Sequence, residues 1–308
     1  MKSVQLQGKL FFVGAFSLAG TSVIAARVIS DRLGVFTIAS VSLFFALMLL
    51  VPICLNRLRN ALRILTPRTI GAVLTQALFG MFLFRCLLLN GVSRTSALEA
   101  GVLTGATPAI TAFLAWALLR EKVGGKALTG MAATVAGVLL VQGLSGIVGG
   151  LNAAHLVGNL LALGAAASES IFNITCRLSV LQKEADGAPL DPLVQTTLVT
   201  FAALLFCAVP AAFERPVTRL ASIGAAEWLA LLWYGFFVTA LAYICWYSGI
   251  KRCGAFTAAA FSGLMPLTSM LLSAILLREN TDLVQWLGGG LVIAGMMLIG
   301  SKTREEPA

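Results

Sequence analysis

Of the 308 residues, 58% are apolar and only 11% are charged, and the mean hydropathy is +0.93. Soluble domains carry about 25% charge, so this chain cannot cover a water-facing surface and its solvent must be lipid. A net charge of +9 would suit a nucleic-acid binder, but the placement of the basic residues argues against one.

Apolar runs of about 20 residues, long enough to cross a bilayer as a helix, occur ten times: about 10–29, 34–55, 69–90, 96–119, 127–145, 155–178, 192–212, 227–248, 255–277 and 283–301. Backbone polar groups in hydrocarbon must be paired, which leaves helices or a closed barrel. The runs lack the alternation a barrel needs, so the expectation is an all-α membrane protein of ten spans. The first span could be mistaken for a cleaved signal, because it follows Lys2 and Lys9. Its Gly14, Ala15, Ile24 and Arg27 fall on Gly164, Ala165, Ile174 and Arg177 of the sixth span, so it is expected to be retained.

Spans three and four bring two charges toward the membrane. Arg85 precedes their short connection and Glu99 follows it. At about 1.5 Å per residue both lie roughly 6–10 Å below the interface. They could pair across the hairpin, as an outer gate or as a fixed structural ion pair, or Arg85 could take a substrate carboxylate. Span four also contains Pro108, a predicted kink because proline removes a helical hydrogen bond.

Span five is rich in small residues, including Gly130, Ala133 and Gly137, a pattern that lets helices pack closely in lipid. This face could pack in the chain or between two protomers of a homodimer. Leu144–Gly150 forms an uncharged, glycine-rich linker, and residues 184–192 form the most polar connection, read as a solvated turn.

Span six carries Glu169 near its middle. Glu169, Asn173 and Arg177 recur at i, i+4 and i+8, which makes a polar stripe that should face the bundle interior. A charge at membrane depth costs about 2.5–3.5 kcal/mol on insertion scales, so Glu169 needs a reason. It is expected to carry a coupling proton or to bind a cationic group of a substrate. Tyr243 in span eight and Trp116 in span four lie deep, as packing or cavity-lining residues. Trp228, Trp246, Tyr247 and Trp286 read as interfacial belt residues.

Span nine repeats span four. Pro108 leads to Leu118-Leu119-Arg120-Glu121, and Pro266 leads to Leu276-Leu277-Arg278-Glu279, 158 residues later. The same shift pairs Gly105 with Gly263, Gly130 with Gly288, Ala136 with Ala294 and Gly137 with Gly295. The chain thus divides into two five-span units, 1–149 and 150–308. An odd number of crossings inverts the second unit, the architecture of many secondary transporters. Broken helices at matching places in such units point to a transport site, which singles out Pro108 and Pro266. Arg85 matches Tyr243, Glu99 matches Thr257 and Glu169 matches Ala19, so the buried charges break the symmetry. A scaffold requirement would recur in both units, so these three residues read as substrate or coupling groups. Arg120-Glu121 and Arg278-Glu279 recur at span ends and read as anchors that reach water.

With the N-terminus inside, fifteen Lys and Arg residues fall in inner segments and six in outer ones. That is the positive-inside bias, with both termini cytoplasmic. Nucleic acid is therefore not the expected partner. The six cysteines form no CxxC pair and read as small packing residues. No metal or cofactor is expected.

The paired Pro…Leu-Arg-Glu and Ala-Gly signatures in two five-span units resemble the EamA family of the drug/metabolite transporter superfamily. The resemblance implies two inverted five-helix repeats and a bacterial inner-membrane carrier with alternating access. It also implies a cavity lined by spans one, three, four, six, eight and nine, with spans five and ten peripheral. More loosely, 99–109 and 168–173 resemble a branch that includes exporters of opine-type metallophores. The expected function is export of a small zwitterionic metabolite, an amino acid or derivative, either coupled to protons or facilitative. A multidrug or other metabolite carrier is the alternative. An intramembrane enzyme is a weaker rival, since His155 is the one histidine and neither Ser262 nor any metal cluster supplies a supporting motif. A channel would need a ring of pore-lining groups, and the inverted repeat suits a carrier better.

Overall fold

A computed structural model describes residues 2–63, 65–119, 124–149, 153–186, 190–279 and 282–300, and every regular element assigned among them is helical. Among the described residues, seven stretches are long and apolar enough to cross a bilayer: Val4–Ser30, Val35–Leu62, Pro67–Val92, Ala97–Leu114, His155–Cys176, Pro192–Ala212 and Ala225–Ile250. Leu264–Leu276 and Leu283–Ile299 are shorter apolar helices.

Several spans are built in pieces. The first is α1 (Lys2–Gly20) and α2 (Ser22–Ser30), the second α3 (Val35–Leu62). The third is α4 (Pro67–Ala77), a π-helical segment (Leu78–Leu83) and α5 (Phe84–Val92). The fourth breaks between α6 (Ala97–Thr104) and α7 (Thr107–Leu119). Then come α8 (Gly125–Gly149), α9 (Ala153–Asp186), α10 (Pro192–Ala212) and a short surface helix α11 (Pro216–Ala221). The eighth span is α12 (Ala225–Trp233), a second π-helical segment (Tyr234–Leu241) and the start of α13 (Ala242–Phe261); α14 (Leu264–Leu276) and α15 (Leu283–Gly300) complete the chain.

The glycine-rich linker is largely helical, because α8 runs through Gly149. Helical hydrogen bonding also continues through residues 249–254, the predicted connection between spans eight and nine. The chain still reverses there. Gly14 faces Cys245 and Phe12 faces Gly249, whereas farther on Phe12 stacks with Phe261 and Gly20 meets Met265 and Thr268. Partners of α1 thus run first against it and then along it.

The prolines do not kink continuous helices. Pro108 lies in the first turn of α7 after the break at Gly105–Ala106, and Pro266 lies in the first turn of α14 after Ser262–Gly263. A missing N–H costs nothing there, because first-turn amides have no helical partner.

Helices α8 and α15 pack through their glycines. A Cβ on Gly130 would come within 2.6 Å of the Gly295 carbonyl, and one on Gly137 within 2.5 Å of the Gly288 carbonyl. The 158-residue shift exchanges these two pairs, as a local two-fold axis between antiparallel helices requires. The small-residue face read as open to a second protomer is filled from within the chain at these four positions.

The second and seventh spans are clasped at both ends. Glu214, just beyond α10, accepts from the backbone N–H of Phe36 (3.2 Å) and Thr37 (2.7 Å) and from the Thr37 hydroxyl (2.7 Å). At the other end Arg57 donates to Asp191 (3.0 Å), whose side chain caps α10 by accepting from the Leu193 N–H. A carboxylate at a helix N-terminus meets unpaired amides and the positive end of the helix dipole.

Candidate transport site

The two π-helical segments occupy matching positions under the 158-residue shift. π segments are rare and disturb the regular hydrogen-bond ladder, often at functional sites. Here each is held by a side chain from the other repeat. Arg85, the second residue of α5, donates to the hydroxyl of Thr239 in the second π segment. Its symmetry mate Tyr243 donates to the Gly80 carbonyl in the first (2.9 Å). Ser168 of α9 donates to the neighbouring Phe79 carbonyl (2.7 Å). Gly80 must be glycine, because a Cβ there would sit 2.4 Å from the Phe172 ring.

Arg85 is 3% exposed. It also donates to Ser42 (2.7 Å) and lies 4.5 Å from the Tyr234 ring centroid, a cation–π contact. Among the described residues its close partners are thus two hydroxyls and an aromatic face, and no carboxylate.

Glu169 is half-buried on α9 and accepts from the Thr107 hydroxyl (3.0 Å) at the start of α7. Ser170 donates to the Thr107 carbonyl (2.9 Å). Glu169 is therefore tied to the break in the fourth span. Asn173 lies half-buried one turn along α9, and the Arg177 side chain lies outside the described residues. Tyr243 is within electrostatic range of both Glu169 and Arg85, and its ring packs against Phe172. Arg85, Glu169 and Tyr243 thus lie in the same region of the interior, each bonded to a different neutral partner.

Glu99 belongs elsewhere. It does not pair with Arg85. Its carboxylate accepts from Thr95 (2.5 Å) and lies 3.6 Å from His155 Nδ1, and Thr95 also meets Asn159 (2.7 Å). Equal depth on two helices says nothing about rotation about their axes, and here the two side chains point to different neighbours. His155, itself half exposed, lies over a buried carboxylate.

Glu279 is not a free anchor. Its two carboxylate oxygens accept from the backbone N–H of Ala97 (2.9 Å) and Leu98 (3.0 Å) at the start of α6. Arg120 and Glu121 lie outside the described residues. Of the groups the sequence did not single out, Ser42, Thr107 and Thr239 contact the predicted charges, and Gln76 joins Gln195 (2.9 Å) and Tyr247 (3.4 Å). Thr107 had a signal, a hydroxyl residue directly before proline at a helix start.

Known proteins agree with this architecture. The model of the EamA-like transporter family matches residues 6–143 and 156–301. An uncharacterized transporter of Bacillus subtilis, YetK, is 29% identical over 99% of this chain and 90% of its own length. A probable amino-acid metabolite efflux pump of Salmonella typhimurium is 28% identical over 58% of each chain. A solved crystal structure at 18% identity matches with a TM-score of 0.60 over 94% of this chain and 95% of its own, a likeness of fold. With two family matches across nearly all of its length and several membrane-crossing helices, this multi-pass membrane protein belongs to the EamA-like transporter family.

Proposed function

We propose that this transporter exports a small zwitterionic metabolite, an amino acid or derivative, by alternating access, with Arg85 taking the substrate carboxylate and Glu169 its amine. The observation that carries the reading is the placement of Arg85, Glu169 and Tyr243. Among the described residues, Arg85 has no carboxylate partner and Glu169 no cationic one, and Tyr243 lies near both. Buried charges in a membrane are costly and usually paired. Two opposite charges left to neutral partners suit a ligand that brings both complements. The name of the Salmonella relative, an amino-acid metabolite efflux pump, points the same way.

Glu169 also serves as the coupling group, exchanging a proton for the substrate amine. The frame is ten crossings in two inverted five-helix repeats, 1–149 and 150–308, in a bacterial inner membrane with both termini cytoplasmic. The exchanged glycine pairs of α8 and α15 support the inversion, and the charge bias supports the orientation. Opine-type metallophores, with several carboxylates and amines, are a narrower class within the same reading. Comparative metabolomics of the medium from deletion and overexpressing strains, with and without metal limitation, tests it. A zwitterionic metabolite should fall in the first and rise in the second; unchanged extracellular amino acids and metallophores reject the export reading.

A further inference from the structure

The short helix α6 is held in an unusual way. All eight of its residues are buried. Its first amides are satisfied by a carboxylate from 182 positions away, Glu279 on Ala97 and Leu98, while Ser96 accepts locally from the Glu99 N–H (3.0 Å). The residue before the clasp, Arg278, has φ 51. A non-glycine residue in the left-handed region is strained, and such strain persists only where surrounding contacts impose it. At the other end the helix stops at Gly105–Ala106. A Cβ on Gly105 would meet the Val102 carbonyl at 2.7 Å and Val292 at 2.9 Å, so only glycine fits this break. Beyond it, Thr107 donates to the last carbonyl of α6, Thr104 (2.8 Å), and to Glu169.

The face that α6 covers carries hydroxyls. Gly101 presses on Ser269 of α14, where a Cβ would fall 1.8 Å from Oγ. Among the described residues, the Ser269 hydroxyl is buried without a hydrogen-bond partner, as is that of Ser273 one turn along. Burying a hydroxyl without a partner costs free energy that hydration would return. Opening α6 would hydrate these hydroxyls, and the clasp on the α6 N-terminus opposes that opening. A short rigid element, a break at its inner end, a strained clasp at its outer end and buried hydroxyls beneath it are the parts of a gate.

We propose that α6 is the gate on its face of the membrane, hinged at Gly105–Ala106 and latched shut by Glu279. The proposal rests on the transporter assignment and not on substrate binding by Arg85 or Glu169. Glu279 is a positioning residue in this account, acting through α6. In the proposed orientation the gated face is the outer one.

Ser269→Cys in a full-length protein cleared of its native cysteines reports the gate, because α6 covers that position. A membrane-impermeant maleimide is applied to right-side-out and to inside-out vesicles, and the labelling rate is read. With Glu279 intact, labelling is slow from both sides. Glu279→Ala raises the rate about tenfold to a hundredfold from the side of the α6 N-terminus alone, the population shift expected for losing two charge-assisted hydrogen bonds. Glu279→Gln keeps one acceptor oxygen and gives a smaller one-sided rise. An unchanged rate in monodisperse Glu279→Ala protein overturns the proposal, and so does an equal rise from both sides, which marks general loosening. If Glu279→Ala does not fold, Glu279→Gln decides by the same criteria. Transport by Glu169→Gln is measured separately, so the gate can stand where the substrate reading fails.

Discussion

The clasp between Glu214 and the start of α3 allows a double-mutant test with a sign fixed by geometry. Gly34 has φ −69 and ψ 151, a conformation open to any residue, so glycine is not needed there for backbone freedom. It is needed for space: a Cβ would lie 2.1 and 2.6 Å from the two Glu214 carboxylate oxygens. Glu214→Ala removes three hydrogen bonds, two to backbone amides and one to the Thr37 hydroxyl. Charge-assisted hydrogen bonds contribute about 1.5–3 kcal/mol each. Glu214 is half-buried near a helix end, where water replaces part of the loss, so the expected cost is about 2–4 kcal/mol. Gly34→Ala alone must push the carboxylate off its donors and should cost nearly as much. In the Glu214→Ala background the added methyl meets no carboxylate, and Gly34→Ala should cost close to nothing. The coupling energy is then about 2 kcal/mol or more, readable by equilibrium unfolding in mixed detergent micelles. Additivity within about 0.5 kcal/mol, the behaviour of independent sites, would refute the reasoning.

Four further outcomes follow from the packing. Gly137→Val drives a side chain into the Gly288 carbonyl and Val292 and should destabilise by about 1–3 kcal/mol or more, whereas Gly290→Ala, which meets nothing within 4 Å, should be neutral in the same titration. His155→Ala should cost less than about 1 kcal/mol, because the His155 side chain is 49% exposed and water screens its pairing with Glu99. Thr95→Val strips a hydroxyl from both Glu99 and Asn159 in a buried setting and should cost more, about 1–3 kcal/mol, so the order of the two variants in thermal inactivation checks the cluster.

Much of the scaffold was legible because lipid leaves few options. The apolar runs, the doubled Pro…Leu-Arg-Glu pattern and the matched glycines follow from spanning length, helix breaks and close packing, which are local or periodic in sequence. Pro108 and Pro266 marked the right places, although as starts of new half-helices. What the sequence did not reveal is rotational or long-range. Arg85 and Glu99 share a depth but not a direction. Glu279 and Glu214 look like helix-end charges until their amide partners, 182 and 177 positions away, are brought beside them. The π segments have no compositional signature, so the crossed bonds of Arg85 and Tyr243 could not be anticipated, and Ser42 and Thr239 gained meaning only as Arg85's partners.

The central claim is that opposite charges around Tyr243 select a zwitterion, and counterflow in proteoliposomes of purified protein tests it most directly. A labelled amino acid of the class found by metabolomics is exchanged against an excess of itself, of its carboxamide, which lacks the carboxylate, and of its deaminated acid, which lacks the amine. Wild type should exchange the zwitterion saturably and at least tenfold better than either analogue. Arg85→Met should lose the preference for the carboxylate, and Glu169→Gln the preference for the amine. Equal exchange of all three compounds by wild type, or unchanged selectivity in both variants, would contradict the account.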